Sequence, residues 1–219
     1  MQNLSGRTAL ITGGTSKLGK EIAIALAKEG VDIIIHYHKA EKEAEKLCDY
    51  ISALGMKAYK IMADFENEND RKELIEKALK IDKKFSILIN NASIYKSPEN
   101  GTFEEFIKNL EINTWTPYFL SLKFAEKIKK GEIINILDAR IKKINFSSPD
   151  LFYILSKHLL ALLTHKLTSQ FSPNIRVNGI APGRIIPSPG SGKMIKKFTS
   201  KIITILKNES INGKIIRVG

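Results

Sequence analysis

The chain is short of the residues that staple a small secreted fold. Its 219 residues include one cysteine, Cys48, so no internal disulfide can form and a reducing compartment is expected. No apolar run approaches the ~20 residues that a membrane helix needs. The start, "MQNLSGRTALITGG", lacks a basic stretch followed by a signal-length apolar run, so a cytoplasmic protein with no membrane association is expected. Arginine is scarce: six of the 35 basic residues. The net charge of +12 favours anionic partners. The lysines are scattered, however, and no basic block or recognised motif stands out, which argues against nucleic-acid binding. An anionic cofactor or substrate would benefit from the same field.

What is present is a strict alternation. Short Ile- and Val-rich runs occupy 7–12, 31–38, 57–63, 85–92, 131–137, 175–181 and 214–218. They are almost continuously apolar, as strands covered on both faces are. Amphipathic stretches fall between them, at roughly 18–29, 40–54, 67–80, 103–129, 150–171 and 193–207. The alternation predicts a parallel sheet with helices on both sides, and right-handed crossovers make it a doubly wound α/β fold of the Rossmann type. No repeat or linker divides the chain, so residues 1–219 are expected to form one domain. The one loose segment is "PGRIIPSPGSGK", 182–193.

The first strand–helix junction reads "TGGTSKLGKEIA". A glycine-rich turn before a helix N-terminus suits a pyrophosphate. Gly13 permits the tight turn and Gly19 a close approach of the helix. Lys17 stands where such turns usually carry a glycine. The second strand ends in His36-Tyr37-His38-Lys39, with no carboxylate until Glu41. An acid there would accept from a ribose hydroxyl and repel a 2′-phosphate. Its absence, with Lys17 and Lys39 nearby, points to NADPH; the plainer alternative is two solvated lysines in a lysine-rich chain.

Tyr153 and Lys157 are spaced i, i+4 on one predicted helix and share a face. A phenol titrates near ~10, and a neighbouring cation such as Lys157 would lower it. His158 and His165 lie on the same helix without a metal-like partner set, and are expected to pack or to line an interface; no metal site is expected.

Thr12-Gly13…Gly19, Asn90-Asn91-Ala92, Asn113, Tyr153-x-x-x-Lys157 and Arg176-Val177-Asn178…Pro182-Gly183 follow the order and spacing of the short-chain dehydrogenase/reductase family, which the chain resembles from about residue 5 to its end. The resemblance implies a seven-stranded sheet in the order 3-2-1-4-5-6-7 and a nicotinamide cofactor. It also implies Tyr153 as proton donor, Lys157 as its activator and Asn113 as holder of a relay water. The phosphates would rest on Gly13, Thr15, Ser16, Lys17, Leu18 and Gly19. His36, Tyr37, His38, Lys39, Asp64 and Phe65 would surround the adenosine. Asn91, Ala92, Ser93, Tyr153, Lys157, Pro182 and Gly183 would line the rest of the cofactor. A homodimer or homotetramer through the helices at 103–129 and 150–171 is expected by the same resemblance.

Within that family the chain is most similar to the pteridine reductases. A basic residue replaces the middle glycine, "HYHKA" follows the second strand, and Asp138 in "INILDAR" stands where most members carry a serine. Reducing a pterin C=N bond needs a hydride at carbon and a proton at nitrogen, and Asp138 beside a Tyr–Lys couple could relay that proton and accept from the pterin amino group. The alternative for Asp138 is a turn residue at a strand end. Tyr95 stands where the pteridine reductases stack an aromatic on the pterin, though packing would explain it as well. The chain departs from the family after Pro182-Gly183: only 30 positions separate Gly183 from Gly213, so the substrate-covering lid is shortened, and Pro187 replaces a threonine that often bonds the nicotinamide. Two other functions stay open, a 3-oxoacyl-carrier-protein or other carbonyl reductase, and a non-catalytic NADPH-binding protein.

Overall fold

The computed structural model describes residues 2–95, 102–142, 150–183 and 191–219. Seven strands form one parallel sheet: β1 (Thr8–Ile11), β2 (Asp32–Tyr37), β3 (Ala58–Met62), β4 (Phe85–Asn90), β5 (Gly131–Ile136), β6 (Ile175–Pro182) and β7 (Ile215–Val218). Their spatial order is β3-β2-β1-β4-β5-β6-β7, as the resemblance implies. The helices are α1 (Lys17–Ala27), α2 (Glu41–Ala53), α3 (Glu68–Ile81), α4 (Phe103–Leu110), α5 (Thr116–Lys127), α6 (Leu151–Phe171) and α7 (Ser191–Lys207).

Period-two alternation sorts the strand side chains onto two cores. Ala9 and Ile11, Ile33 and Ile35, and Ile87 and Ile89 face α1, α2 and α7, where Ile22, Leu26, Leu47, Phe198 and Ile202 meet them. Leu10, Ile34 and Leu88 face the opposite way, onto Leu74, Ile75, Leu120, Phe124 and Leu167 of α3, α5 and α6. Both faces are buried, which is why the strands read as continuous apolar runs.

The stretch 103–129 is not the single helix its periodicity suggests. Helix α4 opens with a capping box, in which Thr102 accepts from the Glu105 N–H and Glu105 reaches back to the Thr102 N–H. A π-helical turn, Glu111–Trp115, then separates α4 from α5. Such turns widen a helix by one residue and are frequent at functional sites. Here the turn contains Asn113, whose side chain is drawn inward, as described below.

The end of the sheet away from the β1–α1 turn is tied by buried charge. Glu132 of β5 receives hydrogen bonds from Arg7 and, at 3.1 Å, from Arg176 Nη2. Arg176 also donates to the carbonyls of Ile205, Leu206, Asn208 and Ile211, closing the C-terminus of α7. Removing the carboxylate would leave two guanidinium groups without their shared anion in a dry environment. Glu132→Ala is therefore expected to lower the unfolding free energy by about 3–5 kcal/mol, read by urea denaturation; a change within 1 kcal/mol (about the value of an ordinary hydrogen bond) would show that the cluster contributes little.

Candidate active site

The turn after β1 is built around three side chains. Ser16 Oγ caps α1 by accepting from the Gly19 N–H at 3.1 Å. Asn91, just past β4, donates through Nδ2 to the carbonyls of Thr12 (2.8 Å) and Gly13 (3.0 Å) and to Ser16 Oγ (3.2 Å). Thr12 Oγ1 accepts in return from the N–H groups of Asn91 and Ala92. Gly13 has φ +59°, and a Cβ there would lie 3.0 Å from Ala92 Cα. A Cβ on Gly19 would lie 2.3 Å from the Gly13 carbonyl and 2.9 Å from Asn91 Nδ2. Gly19 thus admits the turn and the Asn91 carboxamide rather than only a closer sheet.

The end of β2 divides by alternation. His36 lies on the site side, stacked on Phe65 with ring centroids 4.3 Å apart. Its Nδ1 accepts from the Gly13 N–H at 2.9 Å, and its Nε2 faces the Ala63 carbonyl at 3.0 Å. Nδ1 must accept, so the proton sits on Nε2. Burial lowers the imidazole pKa to about 4, and the Ala63 hydrogen bond offsets this only in part. His36 is thus a neutral brace under the turn. Tyr37 points the opposite way, into the α1–α2 core, with its hydroxyl on Glu41 at 3.2 Å. The expectation of Tyr37 beside the cofactor is corrected by that alternation. His38 approaches Asp64 at 3.5 Å.

A cavity of about 520 Å³ opens here, lined by Gly13, Thr15, Ser16, His36, His38, Lys39, Asp64 and Phe65 among others. Asn91 and Ser93 line both this cavity and a second one of about 720 Å³, in which Leu18, Tyr95, Asp138, Tyr153, Lys157, Pro182 and Gly183 meet. The two form a cleft past the carboxyl ends of β1 and β4, the switch point of the sheet. Lys17 is the exposed first residue of α1 and lies outside both linings. Asn113 also lies outside them. It is fully buried, donating to the Ile94 carbonyl (3.0 Å) and Ser156 Oγ (3.1 Å) and accepting from the Ile94 N–H (2.8 Å) and Ser93 Oγ (3.0 Å). Its side chain fastens the segment after β4 to α6. Pro187 lies outside the described residues.

In the larger cavity Tyr153 and Lys157 share the inner face of α6, as their spacing requires. Lys157 is 2% exposed, donates to the Ile136 carbonyl at 3.0 Å, and stands 5.8 Å from the Tyr153 ring centre. Burial lowers its pKa to about 8, opposed by the charge of Asp138. The Tyr153 phenol is not depressed. Burial, and then the Asp138 charge, raise it well above its usual value, against Arg140, which lowers it. The phenol is therefore protonated at neutral pH.

Asp138 lies close enough to Tyr153 for its charge to act on the phenol. It is also gripped by Arg140, with Nε on Oδ1 and Nη2 on Oδ2, each at 3.0 Å. Arg140 lies in a 3₁₀ turn, Ala139–Lys142, directly after β5. Its Nη1 reaches Asp150 at 2.5 Å. Burial pushes the Asp138 carboxyl up, but the Arg140 hydrogen bonds and charge prevail, leaving it below the usual range. Asp150 precedes α6 at the capping position yet makes no side-chain cap bond, its carboxylate being engaged by Arg140 and by the Tyr95 hydroxyl. Tyr95 is 58% exposed and meets Tyr153 edge-on at 5.0 Å. The guanidinium sits 5.4 Å from the Tyr153 ring centre and 5.9 Å from that of Tyr95.

The family model for short chain dehydrogenases matches residues 7–215. The chain belongs to the short-chain dehydrogenase family. An uncharacterized oxidoreductase of Bacillus subtilis, YhxC, is 30% identical over 92% of this chain and 73% of its own length. An uncharacterized oxidoreductase of Thermotoga maritima is 29% identical, over 91% of this chain and 84% of its own. Among solved structures, the FolM alternative dihydrofolate reductase 1 of Brucella canis, complexed with NADP, superposes with a TM-score of 0.89 at 26% identity, covering 99% of this chain and 94% of that one. The promiscuous reductase LugOII, which catalyses a keto-reduction in lugdunomycin biosynthesis, gives 0.84 at 25%, covering 99% and 97%.

As a short-chain dehydrogenase, the protein carries two site residues that the motifs do not mark, Arg140 and Asp150. Arg140 meets both Asp138 and the Tyr153 ring, and Asp150 holds Arg140. Lys157 supplies a pH signature of this arrangement. Below about pH 8 it is charged both folded and unfolded; between about pH 8 and its ordinary 10.5 only the unfolded chain keeps the proton. Stability from this residue therefore rises with pH across that window. The difference in unfolding free energy between the protein and Lys157→Met should change in that direction from pH 8 to pH 10.5, measured by chemical denaturation; a flat difference would mean that Lys157 titrates normally.

Proposed function

We propose that the protein is an NADPH-dependent reductase whose substrate is a pterin or dihydrofolate. The observation that carries this is one cavity holding the Tyr153–Lys157 couple, the Asp138 carboxylate against the Tyr153 hydroxyl, and the Tyr95 ring at its edge. The likeness to the NADP-complexed FolM structure supports the same reading.

The residues present fit a dinucleotide. Gly13 and Gly19 keep open a turn that any side chain would fill, and the helix α1 N-terminus offers the unpaired amides and partial positive charge that suit phosphates. Gly13, Thr15, Ser16 and Leu18 would hold the pyrophosphate. His38, Lys39, Asp64 and Phe65 would surround the adenosine, with Lys39 as the cation for a 2′-phosphate. Asn91, Ser93, Lys157, Pro182 and Gly183 would flank the nicotinamide half. Bound NADPH supplies a hydride. Tyr153, kept protonated by its burial, holds the proton for the substrate nitrogen. Lys157 and Arg140 offset the negative charge that the phenol would acquire on releasing it. Asn113 fixes the Ser93–Ile94 backbone that forms the cleft wall.

A carbonyl reductase is the second reading. It is favoured by the heavy engagement of Asp138 with Arg140, and by the likeness to a keto-reducing enzyme. Steady-state assays separate the two. NADPH oxidation is expected with at least one of dihydrobiopterin, dihydromonapterin and dihydrofolate, with kcat lowered about 10²-fold or more in Tyr153→Phe. No turnover of any of the three, with reduction of an acetoacetyl thioester, would transfer the assignment to the second reading. Cofactor binding with no turnover of any kind would leave a non-catalytic protein. In binding titrations Lys39→Ala should weaken NADPH roughly tenfold relative to NADH, and Lys17→Gly should act in the same direction. Equal effects on both cofactors would make these lysines solvated surface residues.

Self-association belongs to the same proposal. Ile107, Trp115 and Leu159 are exposed on α4, the π turn and α6 around a shallow groove, and Leu162 is exposed on the same helix as Leu159. This apolar face is suited to a second copy of the chain. Sedimentation should show a dimer or tetramer that Leu162→Glu dissociates; a monomeric parent protein would refute the interface.

A further inference from the structure

Arg140 competes for the acceptor that an aminopteridine would need. An ionised carboxylate offers about four lone-pair sites. On Asp138, Arg140 fills three of these: its backbone N–H (2.8 Å) and Nε–H (3.0 Å) meet Oδ1, and its Nη2–H (3.0 Å) meets Oδ2. Oδ1 is saturated, so a ligand that needs one acceptor on each oxygen finds none until a donor leaves.

The donors differ in how easily they can leave. The backbone N–H is fixed by the 3₁₀ turn. The guanidinium is at the end of a long side chain that is 43% exposed. It also has a second anion in place: Asp150, at 2.5 Å, can keep the guanidinium when Asp138 releases it. The charge is therefore never stranded. The Tyr95 ring lies 5.9 Å from the guanidinium.

The shape of the group being displaced is informative. Arg140 meets Asp138 as a planar fork of two parallel N–H donors, Nε and Nη2. The 2-amino group of an aminopteridine and an adjoining ring N–H (N3–H in a pterin, N1–H in a 2,4-diaminopteridine that takes up a proton against the carboxylate) form a cyclic guanidine edge with the same pair of parallel donors. A ketone or thioester offers no such edge. Resting on the pterin reading given above, we propose that Arg140 is an internal surrogate for that edge. It occupies Asp138 until a cyclic guanidine displaces it onto Asp150. The protein thereby selects for ligands able to replace a guanidinium, and it keeps the carboxylate paired when no ligand is bound.

The experiment is calorimetric titration of the NADP-saturated protein, and of its Arg140→Met and Arg140→Lys variants, with 2,4-diaminopteridine and with lumazine. Lumazine has the same ring system with carbonyls in place of the amino groups. With the competitor gone, Arg140→Met should bind diaminopteridine roughly tenfold more tightly, with lumazine affinity unchanged. Arg140→Lys should fall between, because an ammonium cannot reproduce the fork. A gain confined to one probe cannot come from a damaged pocket. Equal or weaker diaminopteridine binding in Arg140→Met overturns the proposal. An equal gain for both probes overturns it too, since that reflects added space. Absence of binding to all three proteins overturns both this proposal and the pterin reading. A selective gain without turnover of any dihydropterin keeps the surrogate and removes the reductase assignment, whereas dihydropterin turnover without a gain does the reverse.

Discussion

The site depends on one carboxamide. Asn91 stands just past β4 and donates to two carbonyls and one hydroxyl of the turn that follows β1. Strands β1 and β4 are neighbours at the point where the winding of the sheet reverses, and their outgoing chains diverge there to opposite faces. Divergence makes the crevice, and a crevice between diverging loops has no backbone ladder to fix its width. The Asn91 side chain, answered by Thr12 Oγ1, supplies that fixation through five hydrogen bonds. Gly19 then follows as a necessity, since a methyl group there would collide with both the Gly13 carbonyl and the carboxamide. His36 completes the frame from the other side by holding the Gly13 N–H. Being neutral far below physiological pH, it adds rigidity without competing for an anionic ligand.

The catalytic half is organised by charge rather than by packing. Asp138, Arg140, Asp150 and Lys157 place two carboxylates and two cations around one phenol. Each pair limits the other's cost. Arg140 lets two carboxylates approach the cavity without mutual repulsion, and Asp138 opposes the loss of the Lys157 proton. The phenol is consequently an acid held in reserve. In the proposed reaction it would become a donor when electron density arriving on a substrate atom makes that atom the stronger base.

The fold was legible because it is encoded locally. Strands buried on both faces must be apolar throughout, and the helices between them carry their own apolar faces. The Tyr153–Lys157 pair was legible for a similar reason, as a single helix face. The π turn was not, because no local pattern demands it. It widens the chain where Asn113 must reach Ile94 and Ser156 at once, and both are distant in sequence. Tyr37 was assigned to the cofactor although the alternation already placed it opposite His36. The motif as a block obscured the period of two.

Arg140 was missed because Asp-Ala-Arg in a lysine-rich chain looks like a solvated turn. Its type was the available signal. This chain draws most of its positive charge from lysine, so an arginine invites a geometric reason, and four of its six arginines show one. Arg7 and Arg176 share the buried Glu132. Arg71 joins the Phe65 carbonyl to Glu111 of the π turn, connecting the adenosine wall to the helix that carries Asn113. Arg140 spans Asp138 and Asp150. In each case the planar fork does what an ammonium cannot, holding two acceptors at fixed angles from one side chain. Scarcity in composition thus becomes information about position: at Arg7, Arg71, Arg140 and Arg176 direction matters as much as charge.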